Sequence, residues 1–403
     1  MKLTSIIDNI SNWKIVTWVL LGLAVGYFLF FIQPVFINSS QAMQFFEYIP
    51  TFGQAGMDLE TTIWYAKLWV VNGYSPYVGG GTFPPLAHVF FVPLLSLDFP
   101  IAYRIFTAFT LLCFLLTTLC IPYQLFEAER KKTLILLIFI SGLFSYGLQF
   151  EIERGQFSVI AYALSLLSIY LFHRHERAMP LSYILLSIAV QLKIYPAIFA
   201  VMLIKDWRVW KDNLKRMIGL AAFNILALFS LGTQNFRDFV NAMSQAQFVK
   251  GEAWVGNHSI SSFAKLYSPS ASALETGLLI FAAASFFLIL YMAYKENNSE
   301  LNAFLLLSTT IITLLVPSIS HDYRLSVLPA AMAIALASIE LPNFSRKIRL
   351  LIAPLVMFMA AVYSSTLFSY TNKPDYFVNN MPALMVILLL ITVIAVVQMK
   401  YAH

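Results

Sequence analysis

Charge, cysteine and familiar catalytic motifs are all scarce in this chain. Only 11% of its 403 residues are charged, and its two cysteines, Cys113 and Cys120, lie seven residues apart in one apolar run. Two thiols in such a run are neither a disulfide framework nor a zinc-binding pattern. The chain has no phosphate-binding loop, no GxGxxG fingerprint, no HExxH sequence and no nucleophile elbow. These absences argue against a soluble nucleotide-sugar-binding fold and predict no metal site.

Apolar residues make up most of what is present. They account for 59% of the sequence, and the mean hydropathy is +0.74. Apolar runs of roughly 17–25 residues recur, and each is long enough to cross about 30 Å of hydrocarbon. The first, Ile15–Ile32, lacks a small-residue cleavage site and is followed by more such runs, so it is predicted to be a transmembrane helix. The net charge of +6 is spread over short loops and does not indicate a nucleic acid partner.

The distribution of Lys and Arg predicts the topology. We assign basic loops to the cytoplasm, which places two long loops, 33–99 and 233–273, outside. The interval Ala178–Ile204, between two basic stretches, is too short for two full spans. Two half-length helices, Pro180–Lys193 and Tyr195–Ile204, would keep both basic stretches on the cytoplasmic side. Neither helix would cross the bilayer, so their junction must be buried in protein or line a cavity.

The fold predicted from these patterns is all-α and integral to the membrane. Residues 1–403 form one polytopic bundle of about twelve hydrophobic helices, some of them short, with both termini cytoplasmic. Residues Leu59–Val71 are predicted to form an amphipathic helix of the outer loop, lying on the membrane surface among Trp and Tyr side chains. The two outer loops are expected to form an extracytoplasmic site.

Ionisable side chains from distant parts of the sequence converge on the predicted outer rim. A charge at membrane depth costs roughly 2.5–3.5 kcal/mol, so one that is present usually has a function or a partner. The converging residues are Asp58, Glu60, Glu151, Glu153, Arg154, Lys193, His258, His321, Asp322 and Arg324.

Structural explanations remain open for several of these residues. Asp58 is also a suitable residue to cap the helix that follows it. Glu151 and Arg154, three apart, are equally compatible with an ion pair, after which Gly155-Gln156 would open a helix whose free amides attract an anion. Lys193, beside the predicted helix break, is harder to explain structurally.

The remaining rim residues are open to structural explanations as well. His321, Asp322 and Arg324 are compatible with a structural cluster at a helix end. His258 is a single loop histidine, and Glu60 points elsewhere than Asp58 on a helix. Aromatic residues near the rim are explained equally well by sugar stacking and by interfacial anchoring.

An ordered set of short motifs resembles glycosyltransferase family 87. This family is a branch of the C-type membrane glycosyltransferases and includes polyprenol-phosphate-mannose-dependent α-mannosyltransferases and a related arabinofuranosyltransferase. Phe83 departs from the family, which often has Tyr or Trp before the paired prolines. The motifs that carry the resemblance are Asp58, Gly73-Tyr-Ser-Pro76-Tyr77, Phe83-Pro84-Pro85, Arg154-Gly155-Gln156, Lys193-Ile-Tyr195-Pro196, Asn257-His-Ser259 and Pro317-Ser-Ile-Ser320-His321.

The resemblance implies an inverting sugar transfer from a polyprenyl-phosphate donor at the outer face, with Asp58 as the general base. The adjacent acid pair of metal-dependent relatives is interrupted, since Leu59 separates Asp58 from Glu60, so no cofactor is expected. Side chains expected to bind the donor phosphate are Lys193, Arg154, His321 and Arg324. Side chains expected to bind substrate are Glu60, Tyr65, Tyr77, Gln156, Tyr195, Trp254, Asn257, His258 and Asp322.

The expected function is therefore a membrane glycosyltransferase that moves a hexose, with mannose favoured by family frequency, to a lipid- or glycan-linked acceptor. Its expected location is a bacterial plasma membrane, with the site toward the periplasm or exterior and membrane lipids as its surroundings. A transporter or lipid flippase is the main alternative, although it would gather charges at broken helices in the bilayer midplane. A non-catalytic assembly subunit is a third possibility.

Overall fold

The computed structural model describes residues 14–33, 54–249, 253–268, 270–297, 300–341, 344–368 and 377–401, so parts of both predicted outer loops lie outside the described residues. Regular structure within these ranges is helical, and strand-type pairing there is one bridge between Asn257 and His321. The α-helices in chain order are α1 (Ile15–Tyr27), α2 (Met57–Val70), α3 (Pro85–Phe91), α4 (Phe99–Leu115), α5 (Ile121–Leu125), α6 (Glu129–Leu143), α7 (Tyr146–Arg154), α8 (Ser158–Arg174), α9 (Met179–Leu192), α10 (Trp210–Ala227), α11 (Thr233–Val249), α12 (Ile260–Tyr267), α13 (Ala271–Glu296), α14 (Ala303–Leu315), α15 (Leu328–Ser338), α16 (Arg346–Ser365) and α17 (Met381–Tyr401).

Five helical segments of the described chain are long and apolar enough to cross a membrane. A sixth is added if α6 and α7, bent by 49° at their break, count as one span. The first predicted span is confirmed, but the count of about twelve is not, because α8 and α14 are shorter than a full span and α9 is followed by a 3₁₀ turn. The five segments are Ile15–Ile32, Phe99–Leu125, Ala271–Glu296, Arg346–Ser365 and Met381–Lys400.

Helices α14 and α15 form the centre of the bundle. Every residue of α14 except Phe304 is buried, and so is every residue of α15 except Ser338. The hydroxyls of Ser308, Thr309, Thr310 and Thr313 bond back to carbonyls within α14, so its polar side chains are satisfied in an apolar interior. The core therefore depends on helix-to-helix packing rather than on loops.

Small residues let α1 approach α16 closely. A Cβ at Gly22 would collide with the carbonyl of Met357, and one at Gly26 would collide with the hydroxyl of Ser364. Close backbone approach through small residues is the usual basis of helix association in lipid. This contact attaches the first span to the rest of the bundle.

The predicted break after the basic loop is confirmed. Helix α9 ends at Leu192, Lys193 has extended backbone angles, and a 3₁₀ turn runs from Tyr195 to Met202. Pro196 restricts the residue before it and lies in the first turn of the new element, where its missing N–H costs nothing. The break places Lys193 inside the protein, where it is only 4% exposed.

The predicted loop helix is also confirmed, as α2, but it does more than lie on a surface. Leu59, Thr62, Tyr65 and Ala66 are buried in the described structure. Gly155, at a φ of +67°, approaches α2 so closely that a Cβ there would lie 2.7 Å from the Cβ of Leu59. Since only glycine suits both conditions, this contact presses the first turn of α2 against the end of α7.

The start of α8 and the end of α9 lie together at one end of the bundle, which we call the Asp58 end. There the hydroxyl of Tyr195 donates to the carbonyl of Ser158 at 2.9 Å. At the opposite end His173 bonds the carbonyl of Met202 at 2.8 Å, and Lys131 pairs with Glu340. These contacts show that the two ends of α8 pack against different parts of the chain.

Candidate active site

Asp58 is held by two side chains, one from the last residue of α7 and one from the segment that follows it. Its Oδ1 pairs with Arg154, and its Oδ2 accepts a hydrogen bond of 2.5 Å from the side-chain amide of Gln156. The N-cap of α2 is Gly56, whose amide donates to the carbonyl of Glu153 at 2.6 Å. The capping alternative for Asp58 is therefore wrong. Its side chain, 22% exposed, remains partly open.

Gln156 connects Asp58 to Lys193. The ammonium of Lys193 donates to Gln156 Oε1 at 2.8 Å and to the hydroxyl of Ser158 at 2.7 Å. An ammonium can only donate and a carboxylate can only accept, so both neighbours fix the same orientation of the Gln156 amide. The result is a continuous line of hydrogen bonds from a partly open carboxylate to a buried cation.

Aromatic faces surround the Lys193 ammonium. It lies 4.5 Å from the ring centre of Phe157, 5.2 Å from that of Tyr323 and 5.9 Å from that of Phe83. Such faces attract cations, and the attraction is larger where water is excluded. The Glu151 carboxylate also interacts electrostatically with this ammonium. Burial lowers the pKa of Lys193 to about 7, while the negative charge of Glu151 opposes this shift, so a substantial fraction of Lys193 is charged near neutral pH.

Glu151 lies at the N-terminus of α8, where the sequence analysis suggested that an external anion would bind. It is fully buried, and its Oε1 accepts a hydrogen bond of 3.0 Å from the amide of Val159, in the first turn of α8. A carboxylate of the chain itself therefore satisfies this helix N-terminus. The suggested ion pair between Glu151 and Arg154 is not formed, because Arg154 pairs with Asp58.

Arg324 has a different environment from the other cations. Its guanidinium lies 5.5 Å from the ring centre of Tyr195, while its Nε and Nη1 are buried and lack hydrogen-bond partners among the described residues. Leaving a buried charged donor unpaired costs more than the roughly 1–3 kcal/mol typical of neutral groups. Arg324 is therefore a strong candidate for contact with an anionic ligand.

His321 lies in the same region but is not a source of charge. Burial, with Arg324 as the nearest cationic influence, lowers its pKa to about 3. Its ring contacts that of Trp254 at 5.2 Å, and its Nδ1 has no hydrogen-bond partner in the described part of the chain. At neutral pH, His321 can donate or accept one hydrogen bond but cannot neutralise a phosphate.

Three of the residues expected to bind substrate lie inside a polar cluster that we call the clasp. Asn257, His258 and Asp322 are at most 1% exposed. His258 bonds Asp322 through Nδ1 and the hydroxyl of Ser320 through Nε2, both at 2.9 Å. Asp322 also accepts a hydrogen bond from Asn380 at 2.9 Å. The clasp joins three segments and positions the chain on which His321 and Arg324 lie.

Three more of the expected substrate residues, Glu60, Tyr65 and Tyr77, lie on or near α2. Tyr65 donates to the carbonyl of Gly79 at 3.1 Å, and Tyr77 donates to the carbonyl of Phe83 at 3.0 Å. Glu60, also on α2, is exposed. The structure therefore brings Asp58, Arg154, Gln156 and Lys193 together, with Tyr195, His321 and Arg324 beside them, but it places Glu60 apart.

Sequence reasoning missed several residues of this region. Ser158 completes the coordination of Lys193, and Asn380 and Ser320 complete the clasp. Ser158 had a usable signal, since it directly follows the Arg154-Gly155-Gln156 motif. Asn380 had none, because nothing in the sequence relates the start of the last span to Asp322.

The fold and the site together define a multi-helix membrane protein with a charged, partly open centre at one end. The sequence model of glycosyltransferase family 87 matches residues 82–317, which is more than half of the chain. The chain belongs to glycosyltransferase family 87, and the protein is a membrane glycosyltransferase. Comparison with curated proteins and with solved structures gives no match. The matched region includes Arg154 and Lys193, whereas Asp58 and Arg324 lie outside it.

Proposed function

We propose that the protein transfers a hexose, mannose being the first candidate, from a polyprenyl-phosphate donor to a lipid- or glycan-linked acceptor, with inversion. The observation that carries this proposal is the line from Asp58 through Gln156 to Lys193, with the unsatisfied guanidinium of Arg324 beside it. It combines a proton acceptor with buried positive charge, as displacement of a phosphate leaving group by a hydroxyl requires.

The reaction is a single displacement. Asp58 takes the proton of the acceptor hydroxyl while its oxygen attacks the anomeric carbon. The bond from that carbon to the phosphate oxygen breaks, and its electron pair leaves with the polyprenyl phosphate. General-base catalysis of this kind contributes typically 10²–10⁴-fold.

The cations have distinct roles in this mechanism. Arg324 offers unpaired donors to the phosphate. Lys193, in its ammonium form, supplies positive charge in a water-poor interior, where electrostatic stabilisation is strongest, and a phosphate beside it favours that form. Arg154 is shared between Asp58 and the phosphate, and its planar guanidinium suits bidentate binding of either one. When Arg154 turns toward the phosphate, a lone pair of Asp58 becomes available to the acceptor hydroxyl. Side chains supply the charge, and no cofactor is needed.

Tyr195, Gln156 and Trp254 complete the proposed substrate site. Tyr195 supports Arg324 with its ring and is anchored through its hydroxyl at Ser158. The buried clasp residues act indirectly, by positioning the segment that carries Arg324. Apolar surfaces between the spans would accommodate the polyprenyl tail in the surrounding lipid.

The Asp58 end is proposed to face the periplasm or exterior of a bacterial plasma membrane. Basic side chains accumulate at the opposite end, in agreement with the preference of Lys and Arg for cytoplasmic loops. They include Arg174, Lys205, Lys295, Arg346 and Lys347. The transporter alternative gains no support from the family.

The test supplies the purified protein with several polyprenyl-phosphate sugars and membrane lipid extract, and identifies products by mass spectrometry. Asp58→Asn should abolish transfer while the protein stays folded. Asp98→Asn is the matched control, because Asp98 is exposed at the start of α4 and its side chain caps nothing. If Asp58→Asn transfers sugar like the control, Asp58 is not the base. If no polyprenyl-phosphate sugar is used by the unaltered protein, the proposed donor is wrong.

A further inference from the structure

A buried histidine near the proposed site has no hydrogen-bond partner. His88, on α3, is 0% exposed, and neither of its ring nitrogens is hydrogen-bonded within the described structure. Buried polar groups are nearly always paired, so each exception requires an explanation. A phenylalanine would fill similar space without any unpaired group. The imidazole is therefore costly to the ligand-free fold.

The His88 ring is enclosed by two tyrosines. It meets Tyr77 edge-on with ring centres 5.4 Å apart, and Tyr65 in the same way at 6.1 Å. Phe239, from α11, lies against the other side of Tyr77 at 5.6 Å. Burial lowers the pKa of His88 to about 4, so the ring is neutral at pH 7 and offers one donor and one acceptor. Mainly aromatic surroundings with one donor and one acceptor suit a neutral, hydroxyl-bearing ligand.

The turn from Pro76 to Phe83 carries Tyr77 and helps to enclose His88. Its contact with α2 includes the hydrogen bond from Tyr65 to the carbonyl of Gly79, and Val78 at its tip is 77% exposed. Gly73 and Gly80 have φ values of +71° and +88°, with no atom within 4 Å of a Cβ built on either one. The turn therefore has a glycine pivot on each side of Tyr77. Because Pro76 and Tyr77 are buried and Gly79 packs against Trp64 and Tyr65, a ligand enters only when these contacts open.

His88 and its two tyrosines lie within reach of an acceptor held at Asp58. Tyr65 follows Asp58 by seven residues on α2, which is two helical turns and about 10 Å along the same face. The charge of Asp58 acts on the Tyr65 hydroxyl. A disaccharide spans a comparable length, so an acceptor with its reacting hydroxyl at Asp58 extends toward His88.

We propose that His88 is the hydrogen-bonding centre of a subsite for a neutral pyranose of the acceptor, walled by Tyr65 and Tyr77 and closed by the turn 76–83. This inference rests on the proposed function only in assigning the sugar to the acceptor. The two nitrogens pair with hydroxyls of a ring that does not react. The subsite thus selects the acceptor rather than the donor.

The experiment measures sugar binding without any donor, so its outcome is independent of transfer. The protein is placed in lipid nanodiscs and titrated calorimetrically with methyl α-mannobioside and with each monodeoxy analogue of its distal ring. The unaltered protein should bind the parent compound and bind one analogue at least ten-fold more weakly, because a site that pairs a hydroxyl rejects compounds that lack it. His88→Phe should bind the parent as weakly as that analogue and should no longer distinguish the two.

Two further variants keep the test decisive. His175→Phe, an exposed histidine at the far end of α8, controls for the substitution itself and should bind like the unaltered protein. His88→Gln retains a donor and an acceptor, so it should bind more weakly yet still discriminate against the same analogue. It carries the comparison if His88→Phe does not fold.

Two results would overturn the subsite. One is a His88→Phe protein that binds every compound as the unaltered protein does. The other is an unaltered protein that binds none of the methyl disaccharides of mannose, glucose and galactose. Binding without sugar transfer would instead retain the subsite and reject the proposed function.

Discussion

Replacing Gln156 by leucine tests whether the line from Asp58 to Lys193 matters for catalysis. The substitution removes the donor to Asp58 Oδ2 and the acceptor for the Lys193 ammonium. A hydrogen bond to a charged group contributes about 1.5–3 kcal/mol. With 1.36 kcal/mol per factor of ten in rate, loss of one such bond from the transition state predicts a decrease in kcat of about 10- to 150-fold. Lys193 keeps its bond to Ser158, so the protein should still fold.

The assay is transfer of labelled sugar at saturating donor and acceptor, with thermal unfolding measured in parallel. Gln149→Leu is the matched control, because Gln149 lies on α7 and bonds the carbonyl of Phe144 instead. Gln156→Glu tests the two hydrogen bonds of Gln156 separately, because a carboxylate still accepts from Lys193 but cannot donate to Asp58. Equal kcat in Gln156→Leu and Gln149→Leu would refute the reasoning.

Two further predictions use measurements of stability. Gly155→Ala should destabilise the protein far more than Gly73→Ala. Both glycines have a positive φ, but only Gly155 is in close contact with Leu59. Similar unfolding temperatures for the two variants would contradict the packing argument. Acidification should also destabilise the protein. The pKa of His88 is about 4 in the folded state and near 6.5 in the unfolded state. Its contribution to the free energy of unfolding is therefore fully present above pH 6.5 and is lost as the pH falls toward 4. His88→Phe should flatten this dependence of unfolding on pH, and an unchanged pH profile would show that His88 does not contribute.

The sequence predicted local features of the fold well. The break at Lys193 followed from loop charge and Pro196, and α2 followed from its aromatic and apolar spacing. These predictions rest on interactions between residues near one another in the chain. The number of spans did not follow, because hydropathy does not distinguish a helix buried in protein, such as α14, from one that crosses the lipid.

The partners within the site were harder to predict. Asp58 and Arg154 are 96 residues apart, and their pairing depends on the close contact between Gly155 and Leu59. The local alternative, a pair between Glu151 and Arg154, agreed with helical spacing but lost to tertiary packing. The clasp was invisible for the same reason, since it joins three segments that are distant in the chain.

The balance of charge favours a ligand site over a self-contained structural network. Asp58 is matched by Arg154, Glu151 by Lys193, and Asp322 by the hydrogen bonds of the clasp. Arg324 forms no ion pair within the described residues, and two of its buried donors are unsatisfied. A purely structural arrangement would gain stability by replacing such a group with an apolar one. Its presence beside a partly open carboxylate is explained if an anion, the phosphate of the proposed donor, completes the arrangement.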